Sequence, residues 1–423
     1  MFPERDPTST ESSSRAIRAP QTFRALRHRN FRLFWWGQLI SVSGSWMQLA
    51  AQGWLVYRLT GSAFYLGLVG FARYVPVLLF SLFGGVIADR FPKRNLVILT
   101  QCIALIQAFL LAILTSTGTV QIWHIIVLSS LLGLVNAFDT PARQSFIVEM
   151  VGKEDLMNAI ALNSSVFNAS RIVGPVVAGV LVPTLGEASC FFLNGVSFLA
   201  VLVSLLRMDA DSLSPAPSEA ANGSVWRKLR EGLDYARSDA AILTLLALVS
   251  ISSVFALPYS TLMPAFARDV LGLGATGYGA MLAAVGLGAL SGALVLASWG
   301  SRFPKGRLFT IGNLLFPLGL IAFSFSRSFV LSELLLILVG LGFILQNAMA
   351  NTLLQTTAKE GFRGRVMSMH TLAFIGLSPL GDLQAGTAAH FLSVPLIVKL
   401  GAFVCLGAAL WAIWKRPELR RLT

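Results

Sequence analysis

Five ionisable residues stand where charge is least expected, inside long apolar stretches: Arg73, Asp139, Arg143, Arg171 and Asp382, with Glu333 and Lys399 nearer the ends of theirs. An ion at the centre of a bilayer costs about 2.5–3.5 kcal/mol on insertion scales, so one that is kept there faces a cavity or a partner. Asp139 and Arg143 lie one helical turn apart and share a face. They read either as a local ion pair that makes insertion tolerable or as a proton-binding carboxylate tuned by its neighbour. Arg171, near the middle of its segment, points to a role in substrate binding or coupling, because a structural arginine more often sits near an interface. Gln38, Ser41, Ser45, Gln48 and Gln52 alternate three and four residues apart along one helix face. Gln38, Ser45, Gln48 and Gln52 could line a polar cavity, or could hydrogen-bond helix to helix.

Other chemistries have no footing. Cys102, Cys190 and Cys405 all lie in apolar segments without CxxC spacing, and the four histidines, His28, His124, His370 and His390, form no HExxH. No metal site, disulfide framework, cofactor or catalytic set is expected. The absence of GxxxxGK[ST] argues against phosphate-driven pumping by this chain.

The elements that must position these groups follow from composition. The chain has 423 residues, 55% hydrophobic and 13% charged, with a mean hydropathy of +0.70. Soluble domains carry about 25% charged residues, and apolar runs of membrane-crossing length recur along almost the whole sequence. Turn residues and charges divide these runs into twelve expected helices, at 31–57, 62–88, 95–117, 122–147, 158–182, 188–207, 241–264, 277–299, 308–326, 330–355, 365–390 and 394–414. The expected class is an all-α membrane protein of two six-helix bundles, 31–207 and 241–414. A polar tail at 1–30, a linker at 208–240 and a tail at 415–423 complete it. Residues 1–30 are polar and basic and are expected to hold no cleavable signal.

The net charge of +13 is distributed as topology signals rather than as a nucleic-acid surface. Most Lys and Arg fall in the tails and alternate loops, and the opposite loops hold only Arg58, Arg268 and Arg327. Both termini are therefore expected to be cytoplasmic. Within the linker, Asp211 to Ser224 is rich in Ser, Pro and Ala and reads as flexible. Trp226, Leu229, Leu233 and Ala236 then recur at helical spacing opposite Arg227, Lys228, Arg230 and Asp234, predicting an amphipathic helix that lies on the inner leaflet or packs on the bundle. Gly288 and Gly292 predict close helix packing, and Trp35, Trp36, Trp411 and Trp414 an aromatic belt.

The halves repeat each other. Arg90-Phe91-Pro92-Lys93 after the second helix matches Arg302-Phe303-Pro304-Lys305 after the eighth, and Gly174-Pro175 matches Ser378-Pro379. Such repeats suggest halves that rock about a central site. The segment from Gly84 to Arg94, Gly-Gly-Val-Ile-Ala-Asp-Arg-Phe-Pro-Lys-Arg, resembles the loop 2–3 signature of the major facilitator superfamily. Phe138 to Gln144, Arg171 to Pro175 and Gly364 to Ser368 resemble its bacterial enterobactin-exporter-like, or transmembrane secretion effector, subfamily. Pro92 replaces the glycine common in that loop, and Ser301 replaces the acid in the second copy.

The resemblance implies a conformational switch at Gly85, Asp89, Arg90, Lys93 and Arg94. It also implies that helices 2 and 11 meet across the halves. Arg73 and Asp382, at depths of roughly 16 and 12 Å at about 1.5 Å per residue, would then form an outer latch that couples to protons. Asp89 and Arg365 would form an inner one. Static pairing in one conformation is the alternative. The expectation is a proton-coupled exporter in a bacterial inner membrane, with a lipid bilayer, protons and a small-molecule substrate as partners, no nucleic acid, and a monomeric state. Its cargo would be an amphipathic or polar metabolite, a siderophore-like compound or drug. The rivals are a lysophospholipid flippase and a non-transporting receptor or scaffold.

Overall fold

The computed structural model describes residues 21–209, 213 and 225–422. The expected tail before Gln21, the flexible stretch from Asp211 to Ser224 apart from Leu213, and the side chains of Trp226, Arg227, Lys228 and Leu229 lie outside the described residues.

In the first half, α1 (Arg29–Thr60), α2 (Ala63–Arg90), α3 (Lys93–Ser116), α4 (Ile122–Val151), α5 (Leu156–Leu185) and α6 (Glu187–Leu206) run alternately up and down. The linker helix α7 (Val225–Ser238) follows. The second half holds α8 (Ala240–Ile251), the single turn α9 (Met263–Ala265), α10 (Ala275–Trp299), α11 (Lys305–Phe325), α12 (Phe329–Thr357), α13 (Arg363–Thr371), α14 (Ser378–Phe391) and α15 (Val394–Lys415). Helix is the only backbone that satisfies every N–H and C=O within one apolar segment.

Among the described residues, ten segments are long and apolar enough to cross a membrane. The first and eleventh of the twelve expected crossings are not among them. α1 is diluted by Gln38, Ser41, Ser43, Ser45, Gln48 and Gln52. The eleventh crossing is divided: a π-helical turn, Leu372–Gly376, separates α13 from α14, with Pro379 just beyond it. The seventh is interrupted in the same way, by π turns at Ser252–Ala256 and Phe266–Val270 with Pro258 and Pro264 between them. Both were expected as continuous helices. Proline removes a backbone donor and the π turn widens the ladder, so carbonyls are freed in mid-segment. One of them, that of Phe374, is recovered by the Ser253 hydroxyl at 2.7 Å.

Within the first half α1 packs on α5 and α6, α2 on α4, and α3 on α4 and α6; within the second, α12 packs on α10 and α11, and α11 on α15. Small residues let backbones approach: a Cβ on Gly288 would fall 1.9 Å from the Ile337 carbonyl oxygen. Two seams join the halves, α2 with α14 and α5 with α10. Each half is also closed by a short terminal segment of its own. The 3₁₀ segment Gln21–Arg27 lies on the start of α5, and the 3₁₀ segment Pro417–Arg421 packs on α11, where the Gly306 amide donates to Leu422 at 3.0 Å.

Candidate functional site

The seams enclose a cavity of about 290 Å³ between α1, α2, α5, α10 and the two broken crossings. The breaks matter here, because Tyr259, Thr261 and Phe374 reach the cavity from the irregular turns and Ser378 from the helix start that follows one of them. Three charged residues line it: Arg73 from α2, Arg171 from α5 and Asp382 from α14.

Asp382 is 6% exposed and accepts a hydrogen bond from the Thr261 hydroxyl at 2.6 Å. Arg171 lies between two rings, 5.8 Å from the centre of Trp46 and 5.5 Å from that of Phe343. A guanidinium over an aromatic face is attracted by the ring quadrupole and keeps its edge donors free. Trp46 belongs to the first half and Phe343 to the second, so Arg171 stands at their junction. Sequence reasoning singled out the arginine but not its rings, whose arrival is a tertiary event.

At the end of the molecule away from the chain termini, the halves are in contact. A Cβ on Gly67 would fall 2.3 Å from the Asp382 carbonyl oxygen and 2.8 Å from the Gly386 Cα. On the other seam, a Cβ on Gly279 would fall 2.6 Å from the Pro175 carbonyl oxygen and 2.8 Å from the Gly179 Cα. The Tyr57 hydroxyl donates to the Asp269 carboxylate across the halves, with the Arg268 guanidinium 5.8 Å from the Tyr57 ring centre. Nothing in the spacing of Tyr57 and Asp269 announced this bond.

Arg73 and Asp382 line the same cavity, yet no ion pair joins them within 4.0 Å among the described residues. This departs from the expected outer latch. The seam at this end is closed instead by glycine backbones, which leave the Asp382 carboxylate against Gly70 and Thr261.

At the terminal end, the expected inner pair is likewise apart. Asp89 and Arg90 are exposed at the end of α2. Arg365 is taken by Glu231 of the linker helix at 2.9 Å and lies 4.8 Å from the Phe362 ring centre. The Tyr235 ring of α7 stacks on that same phenylalanine at 4.3 Å. Lys93 pairs with Glu149 at 3.3 Å, and the Arg94 Nε donates to the Leu205 carbonyl at 2.8 Å. A Cβ on Gly85 would meet nothing within 4 Å.

The α4 pair is satisfied inside the first half. The Asp139 carboxylate, 3% exposed, is bound by Arg143, by the Thr100 hydroxyl at 2.7 Å and by the Gln101 amide at 3.0 Å. Arg143 also donates to Gln38. The α1 stripe behaves similarly. Gln48 bonds Gln107 at 3.2 Å and Asn194 at 2.7 Å, Gln52 donates to Ser129 at 2.8 Å, and Ser45 donates to the Ser41 carbonyl at 3.0 Å. Gln52 also lines the cavity, whereas Gln38, Ser45 and Gln48 do not. The stripe faces its own bundle because an amide in hydrocarbon is best satisfied by another amide on a neighbouring helix.

A cluster that sequence reasoning missed lies outside the crossings. Asp155, at the start of α5 and 2% exposed, binds Arg24 Nε and Arg27 Nη2 at 2.8 Å each and His28 Nε2 at 2.7 Å. The hydrogen bond with His28 foremost, then that from Arg27 and the charge of Arg24, hold its carboxyl below the usual range against the opposing effect of burial.

A family model for transmembrane secretion effectors matches residues 20–421. The staphyloferrin A transporter of Staphylococcus aureus is 25% identical over 384 residues, 89% of this chain and 94% of that one. The multidrug efflux pump Tap of Mycolicibacterium fortuitum is 25% identical over 358 residues, 83% and 87% of the two chains. A solved structure of a POT family transporter in complex with 5-aminolevulinic acid is alike in fold, with a TM-score of 0.74 at 12% identity over 93% of this chain and 97% of that one.

Proposed function

The chain belongs to the transmembrane secretion effector family of the major facilitator superfamily, and from that premise we propose that it exports a small amphipathic or polar metabolite by alternating access, coupled to protons. It is a membrane transporter and not an enzyme, as its family is. The observation that carries the export reading is the central cavity, lined by residues of both halves and closed at one end by the two glycine seams.

We assign the terminal end to the cytoplasm from the distribution of Lys and Arg, in a bacterial inner membrane crossed twelve times by a monomer. On that assignment the cavity is closed toward the outside. Asp382 is the residue proposed to carry the coupling proton, being the carboxylate within the cavity. Closing the cytoplasmic side would bring Asp89 toward the start of α13, where Arg365 exchanges its carboxylate partner Glu231 for Asp89. The relatives' names favour a siderophore or drug as cargo.

The test compares small molecules released by cells with and without the protein, in iron-poor and iron-replete media, followed by counterflow of the identified compound and protons in proteoliposomes. Wild type should move protons opposite to the compound, and Asp382→Asn should abolish that dependence. An Asp382→Asn protein that keeps its full response to a pH gradient would remove Asp382 from coupling.

A further inference from the structure

We propose that the cavity takes its substrate as an anion, with a carboxylate or phosphate group held by Arg171 and Arg73 and an apolar or aromatic body against the surrounding rings. The inference rests on reading this cavity as the transport site, and it names the chemical class that the site selects.

The cavity is lined by two guanidinium groups and one carboxylate. Elsewhere in the described residues several ions of the bundle are paired, although Glu333 keeps a buried carboxylate oxygen without a hydrogen-bond partner and Lys399 has only the Phe325 ring, 3.8 Å from its amine. Arg143 has Asp139, Arg58 has Glu187 at 2.7 Å, Lys93 has Glu149, and Asp155 is shared by Arg24 and Arg27. Arg73 and Arg171 have no such partner, and unlike Glu333 and Lys399 they share one cavity. Neither lies within 4.0 Å of a carboxylate among the described residues, although Asp382 lines the same cavity. Asp382 is instead hydrogen-bonded to Thr261 and packed against Gly70.

A desolvated cation without a counter-ion is costly, and the natural relief is an anion brought from outside. Arginine suits that task, because its planar fork of five donors matches carboxylate and phosphate oxygens two at a time. The Trp46 and Phe343 faces hold Arg171 by its π-surface and leave that fork unspent. The rest of the wall fixes the other half of the ligand. Tyr74, Tyr259, Tyr278 and Phe374 offer aromatic surface with a few hydroxyls, the mixture that binds an apolar body and orients it. A simple cation meets two like charges in the same space.

Four probes of one shape separate the possibilities: 2-naphthoate, 2-naphthyl phosphate, the neutral 2-naphthamide and the cationic 2-naphthylmethylammonium. Equilibrium dialysis of the purified full-length protein reads their affinities. The expected result is that at least one of the two anions binds about tenfold or more tighter than the amide, and that the ammonium binds weakest. The naphthoate-to-phosphate ratio tells which anionic group is preferred. Arg171→Gln and Arg73→Gln should each bring the anions close to the amide while leaving the amide's own affinity in place, which a misfolded variant would not do. Arg171→Lys should recover part of the preference, since it keeps the charge but not the fork.

Equal binding of amide and anions, a preference for the ammonium, binding of none of the four, or an anion preference that survives both arginine substitutions would overturn the proposal. The transport reading is judged separately, by flux in proteoliposomes. Probes that bind in the expected order but are not moved would refute export and leave the anion site standing.

Discussion

If glycine packing closes the end away from the termini, the smallest possible side chain on the seam should open it. In Gly67→Ala the new methyl would sit 2.3 Å from the Asp382 carbonyl oxygen and 2.8 Å from the Gly386 Cα, where ordinary contact is 3.4–4 Å. α2 and α14 must part by about an ångström. Overpacking of this kind costs about 1–3 kcal/mol. The cost falls on the state in which the seam is closed and is relieved when the halves swing apart, so the equilibrium should move about 5- to 150-fold toward opening at that end. Spin labels on Thr119 and Ser328, exposed residues of the two halves at that end, would read the separation directly, with Cys102, Cys190 and Cys405 replaced beforehand. The expected result is growth of a longer-distance population in Gly67→Ala and none in Gly407→Ala, where a Cβ meets nothing within 4 Å. An unchanged distance distribution in a monodisperse Gly67→Ala protein would refute the claim that these glycines set the closed state.

Tyr57→Phe removes the cross-half bond to Asp269, a hydrogen bond to a charged group and so about 1.5–3 kcal/mol; the same labels should shift the same way, and a shift toward closure would contradict the assigned role. Arg143→Ala leaves the Asp139 carboxylate buried without its cation and should destabilise by about 3–5 kcal/mol. Adding Asp139→Asn should recover part of that loss in thermal unfolding, and a double variant no better than the single would argue against a structural pair. Asp155 has its carboxyl held low in the folded state, so its contribution is fully present above the unfolded carboxylate value of about 3.9 and is lost as pH falls through the folded value. Asp155→Asn should therefore lower the melting temperature at neutral pH, and the deficit should shrink toward the acid limit. A deficit constant down to that limit would remove charge from the account.

The helices were largely legible because apolar run length and turn residues are local. The expected 95–117, 188–207 and 394–414 correspond to Lys93–Ser116, Glu187–Leu206 and Val394–Lys415. The seventh and eleventh crossings were harder to read. Pro258, Pro264 and Pro379 stand in plain view, but a proline in an apolar run permits either a kinked helix or a broken one. The partner that recovers the freed carbonyl, Ser253 for Phe374, lies far away in sequence.

The site divides along the same line. That Arg73, Arg171 and Asp382 would be unusual followed from charge in hydrocarbon, and all three do line the cavity. Their partners did not follow. Depth arguments placed Arg73 and Asp382 at compatible levels, yet level alone does not fix rotation about a helix axis, and Thr261 holds the carboxylate. The spacing of Gln38, Gln48 and Gln52 fixed a shared face but not the neighbour, which proved to be chiefly their own bundle.

The two terminal straps have a consequence for the order in which the chain assembles. Arg27 and His28 are among the first described residues to be synthesised, but their anchor Asp155 lies 128 and 127 residues further on. The basic segment therefore waits, unpaired, until four crossings have been threaded and the fifth has begun. Its docking follows the synthesis of the first four helices of the first bundle rather than that bundle's beginning. The second strap is its mirror in time: Leu422 reaches Gly306 only as the last described residues arrive. Since each strap binds within its own half, neither half depends on the other for this closing step. The first bundle is thus equipped to consolidate while the second is still being made, as domains that form in order of synthesis do.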